Sequence, residues 1–474
     1  MDKQNYLLKF AQGVSANSLD PCQFDIQVPR TFARHKLTGL SPGLMAACAT
    51  LTSESATEER LVGIVSAVDG PSGIAHFYYY LQMFAKRQML AYSINADGAP
   101  WATIQPISNQ FRFEPRAFDP QKRFMLSRFA FIHREAEEMV LESPLCHGKI
   151  IMHSAYAASV VSAMATQHSA DSLELILPSI PQAVAGLFLG MLVAGGFADE
   201  VQSGLQEPEE SLAQRHWSFH ELLFHARSRS GRHANPSGGT YRFLRRIEPL
   251  PLVKKIESAE VIDLFRPDMD ALTREDELPF SLVMEERASV REYSDRSIDA
   301  RQLGEFLYRT ARIKQKISTE HQDVSQRIYP AGGAIYELEL YLTIHACEGV
   351  PRGFYHYCPD LHRLEKIEVA DEPLEALLRD ARSASGLDGN PQVLITISAR
   401  FERLFWKYES IAYSLMLKNV GTLFQTMYLV ATAMDLAPCA LGGGDSDLFT
   451  RVAGTDYLKE SSVGEFMLGR KRIG

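Results

Sequence analysis

Lys407 and Tyr408, within Phe405-Trp406-Lys407-Tyr408-Glu409, set an amine beside a phenol. Both groups can take or give a proton. Neither is a good base at neutral pH unless perturbed, because the free groups titrate near ~10.4 and ~10. A solvated lysine next to a core tyrosine is the plainer alternative. Upstream, Arg287, Ser289 and Arg291 fall at every second position of the run Glu286-Arg287-Ala288-Ser289-Val290-Arg291-Glu292-Tyr293. In an extended segment alternate side chains share a face, so two guanidiniums and a hydroxyl would converge there. That set suits a dianionic phosphate, because arginine donates in a bidentate fork; a solvated basic strand is the other possibility. Pro330-Ala331-Gly332-Gly333 and Leu441-Gly442-Gly443-Gly444 carry paired glycines, which let backbone approach a flat ring closely. Glycine pairs are also ordinary turns, so each motif is weak by itself. Gln425 and Arg470 complete the candidate set.

The elements that must hold these residues belong to an expected third unit, residues 253–474. Its pattern predicts a helix over 298–311 capped by Ser297, strands over 339–344, 353–357, 363–367 and 393–397, and a long apolar helix over 410–434. Helices and strands mixed without strict alternation indicate an α+β fold. Residues 1–110 form an expected first domain. Helical periodicity over 43–51, 58–68 and 76–88 is followed by alternating segments around Asn95-Ala96-Asp97-Gly98, a hairpin signal. Helices followed by such a hairpin resemble a winged helix. Its third helix reads Ala75-His76-Phe77-Tyr78-Tyr79-Tyr80-Leu81, aromatic where a DNA reader is basic, so these tyrosines are taken as core and interface residues.

Residues 111–252 repeat the pattern more loosely, with strands expected over 128–132 and 139–142 and helices over 155–165 and 180–195. His220 and Glu221 invite a zinc reading, but the next histidine is His225. Five residues along a helix turn the two imidazoles roughly 140° apart, so zinc is not supported. Arg227, Arg229 and Arg232 with residues 235–239 read as an irregular connector packed on the following domain, with the linker at 249–252.

The chain has 474 residues, 46% apolar and 23% charged, the composition of a soluble globular protein of two to four domains. A net charge of −9 argues against a nucleic-acid backbone binder, whose footprint is a basic face. The six cysteines are scattered without C-x-x-C and no secretory leader is visible, which points to reduced thiols in the cytoplasm. The longest apolar run, 183–198, is shorter than the ~20 residues of a membrane span and is broken by glycines.

Taken together, the Lys-Tyr pair, the Arg-x-Ser-x-Arg segment and the glycine pairs resemble the nitroreductase-like flavoproteins. More narrowly they resemble the SagB/McbC-type azoline dehydrogenases, of the cyanobactin thiazoline oxidase (ThcOx) type. The resemblance covers nearly the whole chain. It implies a C-terminal FMN domain preceded by two winged-helix domains like PqqD, the recognition element of ribosomally made, modified peptides. It implies that Arg287, Ser289, Arg291 and Arg470 hold the FMN phosphate, and that Pro330, Gly332 and Gly333 line the isoalloxazine. Gln425, Gly442 and Gly443 would approach the cofactor from elsewhere, partly across a homodimer interface, and Lys407 and Tyr408 would be catalytic. Many relatives carry serine where this chain has Ala331, so a hydroxyl contact is missing there. The implied substrate is an azoline-containing peptide, oxidised to the azole with O2 as acceptor. A leader peptide or a cyclodehydratase is the partner implied for the N-terminal domains, with no nucleic acid, membrane or metal. An NAD(P)H-dependent nitroreductase or quinone reductase is the rival activity. A flavin-sensing winged-helix regulator is a third reading, disfavoured by the acidic balance.

Overall fold

Three N-terminal helices begin where the chain supplies caps. Ser41 precedes Pro42–Ser53, Thr57 precedes Glu58–Asp69, and Gly70, at φ +71°, lets Pro71–Lys86 follow without a loop. Asp69 ties the three together: it accepts the Ser41 hydroxyl and, at 2.9 Å, the Gly43 N–H, and a β-carbon on Gly73 would collide with it. These elements belong to a computed structural model that describes residues 5–20, 22–28, 33–96, 98–115, 119–272 and 277–472. The helices lead into the hairpin Leu90–Ala96 and Ala99–Pro106, a winged-helix arrangement; Asp97 of the expected turn lies outside the described residues.

The chain forms two compact units, Met1–Asn235 and Pro236–Gly474. In the first, a six-stranded antiparallel sheet runs in the order Leu7–Phe10, Leu90–Ala96, Ala99–Pro106, Gly148–Met152, Glu138–Glu142, Phe131–Glu135. Segments on both sides of residue 110 therefore share one sheet, and one apolar core from Leu8 and Leu61 to Ile150 and Leu189. A second helical triplet, Ala155–Ala163, Ala170–Ile176 and Gln182–Ala194, leads to the short pair Ala198–Glu200 and Phe124–Leu126. A three-stranded sheet over 15–38 carries no clear sequence signal. The strand expected from Arg128 starts only at Phe131, because Arg128 turns outward to Glu210 and the carbonyls of Gln214 and Trp217. Among the described residues no helix is long and apolar enough to cross a membrane.

The second unit is built on a seven-stranded antiparallel sheet in the order Val261–Asp263, Arg363–Ile367, Gly353–Cys358, Leu338–Ile344, Val393–Arg400, Glu460–Arg470, Leu436–Leu441. Successive side chains of a strand point to opposite faces, and here both faces are covered. Ile395 and Phe466 face the helices Ala300–Ala311 and Ala412–Ala433, whereas Leu394 and Met467 face Asp371–Ser385 and Ser446–Ala453. That double burial explains why every residue of Val393–Arg400 is buried. The helix expected from Ile298 begins at Ala300, because Ile298–Asp299 pairs with Cys347–Glu348. Its cap is accordingly Asp299 and not Ser297, with a reciprocal bond to Gln302.

The second unit starts upstream of the linker expected at 249–252. Residues 236–251 pack on it because the backbone groups of that segment find partners there: Gly238–Gly239 pairs with Tyr408–Glu409, and the Ile247, Leu250 and Pro251 carbonyls accept from Trp406, Arg403 and Arg400.

Candidate functional site

The central strand Val393–Arg400 delivers the short helix Phe401–Phe405, after which the chain turns at Trp406 and Lys407 into the two-residue strand Tyr408–Glu409. That strand pairs with Gly238–Gly239, and the Lys407 carbonyl accepts the Tyr241 N–H at 3.1 Å. Lys407 Nζ lies 5.5 Å from the Tyr241 ring centroid and 5.2 Å from that of Tyr408.

Opposite stands the glycine loop. Gly333 has φ +65°, and a β-carbon there would come within 2.5 Å of the Tyr408 hydroxyl and 3.0 Å of Lys407 Nζ. Both reactive atoms thus converge on the face of one glycine, where no side chain fits. The loop hangs from the central helix Ala412–Ala433. Gly332, whose β-carbon would touch Leu415, donates its N–H to Asn419 Oδ1 at 3.0 Å, and the Pro330 carbonyl accepts from Thr422 at 2.9 Å. Positions 415, 419 and 422 follow helical spacing and share one face. The Gly332 N–H therefore serves the loop's own geometry and does not point out to a ligand. Asn419 in turn donates to the buried Glu337 carboxylate at 2.8 Å, whose pKa is raised by burial.

A cavity of about 330 Å³ opens beside this pair, lined by Tyr241, Thr319–Gln322, Val324, Gly333 and Lys407. The loop before Val324 and the chain after Gly333 are tied together by Arg403, which is fully buried. The Arg403 guanidinium donates to the carbonyls of Leu250 at 2.6 Å, Asp323 at 3.0 Å and Ile335 at 2.8 and 3.2 Å. These carbonyls belong to the connector, the loop before Val324 and the chain leaving the glycine loop. Burial, reinforced by the neighbouring Arg400 and Arg327 guanidiniums, pulls the Arg403 pKa down to about 10.

Arg287, Ser289 and Arg291 follow the helix Phe280–Glu286 in an irregular segment, not in the extended strand their spacing suggests. The Val290 N–H bonds to Pro438, which leaves the flanking side chains facing the C-terminal half of the central helix. The Arg287 guanidinium sits 5.2 Å from the Tyr428 ring centroid and Ser289 Oγ is 2.7 Å from the Tyr428 hydroxyl. Arg291 and Ser289 both act on Cys439, whose thiol burial pushes up. Arg470 runs alongside, its carbonyl accepting the Ser294 N–H at 3.0 Å. Its guanidinium is partly engaged, with Gln302 at 2.9 Å and Asp299 at 3.3 Å, while its buried Nε has no partner among the described residues.

Gly442 and Gly443 are not brought to the glycine loop. They line a separate opening of about 340 Å³ with Phe424, Val463 and Glu465. Phe424 lies nine residues beyond Leu415, half a turn around the helix. Gln425 is exposed between the two sides. Glu465 at this opening has its carboxyl pushed up to about 7 by burial.

Tyr241, Arg403, Asn419, Glu337 and Tyr428 were not among the candidates. Asn419 and Glu337 left a trace, as polar residues inside otherwise apolar runs. Tyr241 left none, since it enters the site only through the pairing of its connector.

Comparison with known proteins adds the following. Residues 284–470 match the Nitroreductase family, residues 124–234 the family described as cyanobactin oxidase ThcOx, and residues 8–115 the ThcOx helix turn helix domain. A protein of Methanocaldococcus jannaschii named as a nitroreductase is 29% identical over 186 residues, 39% of this chain and 85% of that protein. The trifolitoxin-processing protein TfxB of Rhizobium leguminosarum is 27% identical, covering 31% of this chain and 40% of that one. The microcin B17-processing protein McbC of Escherichia coli is 31% identical, covering 23% and 42%. The chain thus spans less than half the length of the last two relatives.

Proposed function

We propose that this chain, which belongs to the nitroreductase family and carries the helix-turn-helix and oxidase segments of cyanobactin oxidases before it, oxidises azoline rings in a ribosomally made peptide. Thiazoline or oxazoline would become thiazole or oxazole, with FMN as cofactor and O2 as final electron acceptor. The observation that carries the reading is the convergence of Lys407 Nζ and the Tyr408 hydroxyl at Gly333. Ring oxidation removes one proton, from the carbon next to the carbonyl, and one hydride. A proton-transferring pair whose two reactive atoms stand together suits that demand.

The residues present fit FMN on two counts. Arg287 and Ser289 bring a guanidinium and a hydroxyl to Tyr428, and the buried Nε of Arg470 lacks a partner among the described residues. Arg287, Ser289, Arg291 and Arg470 would hold the phosphate, and Pro330, Gly332 and Gly333 the ring. Bound FMN would supply the two-electron acceptor that the side chains lack. Lys407 would hold the proton taken from carbon and share it with Tyr408. The connector and Arg403 would keep the walls of the cavity in register.

Homodimerisation belongs to the same reading. Tyr413, Leu417, Gly421 and Gln425 recur at four-residue intervals as an exposed stripe of the central helix, with Tyr413 and Leu417 40% and 39% exposed. A second copy covering that stripe would bring Gly442, Gly443 and Gln425 to the cofactor. We assign contact with a leader peptide or cyclodehydratase to the N-terminal unit, and a cytoplasmic location to the whole.

A second reading, an NAD(P)H-fed nitroreductase or quinone reductase, is favoured by the length of the match to the M. jannaschii protein. One experiment separates the two. The purified protein is given a thiazoline peptide in air and the product is weighed. Loss of two hydrogens per ring supports azoline oxidation. An unchanged peptide, with NADH-driven reduction of a nitroarene, sinks it in favour of the rival.

A further inference from the structure

We propose that Tyr241 is the positioning residue for Lys407, an inference that rests on the functional reading above. Tyr241 enters the site from the connector, five residues after the second unit begins. Its ring covers Lys407 Nζ at 5.5 Å while Tyr408 covers it at 5.2 Å, so the ammonium sits between two aromatic rings. A cation within about 6 Å of a ring centroid is attracted by the ring quadrupole.

The Tyr241 ring is itself held from two further sides. It meets Trp406 edge to face at 5.9 Å and His321 at 5.1 Å. Its backbone is locked as well: the Tyr241 N–H donates to the Lys407 carbonyl at 3.1 Å and its carbonyl accepts from Leu244 at 2.9 Å. A β-carbon on Gly239 would meet Tyr408, Lys407 and Tyr241 together at van der Waals distance. Tyr241 adopts this place at φ +52°, a left-handed conformation that a bulky residue rarely occupies. Such strain persists where surrounding contacts over-determine it, and it clusters at functional sites. A lysine on a four-carbon stem has many rotamers, and a base must stand within hydrogen-bond reach of its proton. The ring supplies what the stem lacks, a preferred place for the ammonium.

Asn tolerates a left-handed backbone, so Tyr241→Asn removes the ring without adding strain, and Tyr241→Phe keeps the ring face. In the full-length FMN-loaded protein, Tyr241→Asn should lower kcat on a thiazoline peptide by roughly 5- to 30-fold, with KM moved by less than about 2-fold. Tyr241→Phe should recover most of that loss. In a Lys407→Ala background, Tyr241→Asn should cost nothing more, because its effect passes through the lysine. An activity-independent readout uses the full chain with its lysines reductively methylated with 13C. The Lys407 methyl signal, identified by its absence in Lys407→Ala, should carry a ring-current displacement that Phe keeps and Asn largely loses. A Lys407 signal identical in Tyr241→Asn would overturn the proposal, as would an unchanged kcat or a full additive loss in the Lys407→Ala background. If the wild-type protein fails to oxidise the peptide, the functional reading falls, and the methyl signal still decides the placement of the lysine.

Discussion

Replacing Arg403 by methionine, of similar length and no charge, should destabilise the second unit by about 3 kcal/mol and disorganise the Lys407 cavity. The magnitude follows from the contacts. The guanidinium satisfies three carbonyls, those of Leu250, Asp323 and Ile335. A buried carbonyl left without a donor costs about 1–3 kcal/mol, so the gross loss is roughly 3–9 kcal/mol. Against it stands the cost of burying the charge. The drop of the Arg403 pKa to about 10 corresponds, at ~1.4 kcal/mol per unit, to about 3 kcal/mol that methionine no longer bears. The difference centres near 3 kcal/mol. Arg403→Lys should recover little, because one compact ammonium cannot face three carbonyls that lie on separate segments. Urea unfolding followed by hydrogen exchange of peptides from residues 236–474 measures the effect, with the first unit as internal control. Exchange in the loop before Val324 and in the segment around Leu250 should rise more than in the strand Leu338–Ile344, since those carbonyls lose their donor. An unfolding free energy within about 0.5 kcal/mol of wild type would refute the reasoning. So would a uniform change that spared no region.

Lys407→Ala and Tyr408→Phe should each retain flavin and lose azoline turnover by roughly 100- to 10,000-fold, and the double variant should be scarcely worse than the worse single one. Flavin lost from either, seen as the absorbance ratio after desalting, would make that residue a packing contact. Arg287→Ala should lose most of its flavin on purification, and the cofactor released by denaturing wild type should run as FMN on chromatography. Elution as FAD would refute the phosphate assignment. Light scattering should give about twice 53.1 kDa, and a monomer that turns over would contradict the shared site. Glu465, whose folded pKa of about 7 lies above its ordinary value, binds its proton more tightly in the folded state. Its contribution is therefore present below about pH 4.5 and lost as pH rises through about 7. Glu465→Gln should flatten urea stability across that range, and an unchanged slope would show the carboxyl to be solvated.

Much of the architecture could be read from residue order. The strands over 338–344, 353–358, 363–367 and 393–400 stand where apolar and β-branched runs predicted them, and the central helix is shorter by one or two residues at each end. Those signals are local, set by periodicity and by burial on both faces. Errors arose where a long-range pairing overrode a local preference. Ser297 is a sound cap by type, but Ile298 and Asp299 are taken by Cys347–Glu348, which moves the helix start to Asp299's far side. The alternation of Arg287, Ser289 and Arg291 suggested a strand; the segment is irregular, and the side chains meet at Tyr428 and Cys439 because Val290 is anchored to Pro438.

The sequence by itself determined the chemistry on offer: an amine beside a phenol, a basic segment with a hydroxyl, and glycines that leave room for a flat ring. Residue type fixes what a group can donate, accept or exclude, and adjacency fixes that Lys407 and Tyr408 stay together. Only the tertiary structure decided where those groups face. Gly333 lies against the pair because Asn419 and Thr422 hold its loop, and Tyr241 covers the lysine because its connector adds a strand to Tyr408–Glu409. Gly442 lines a separate opening with Phe424, where the strand Leu436–Leu441 ends. Such placements depend on hydrogen bonds between residues up to about 170 positions apart, such as that between Thr240 and Glu409. No local pattern records a partner so distant; the fold alone brings the two together.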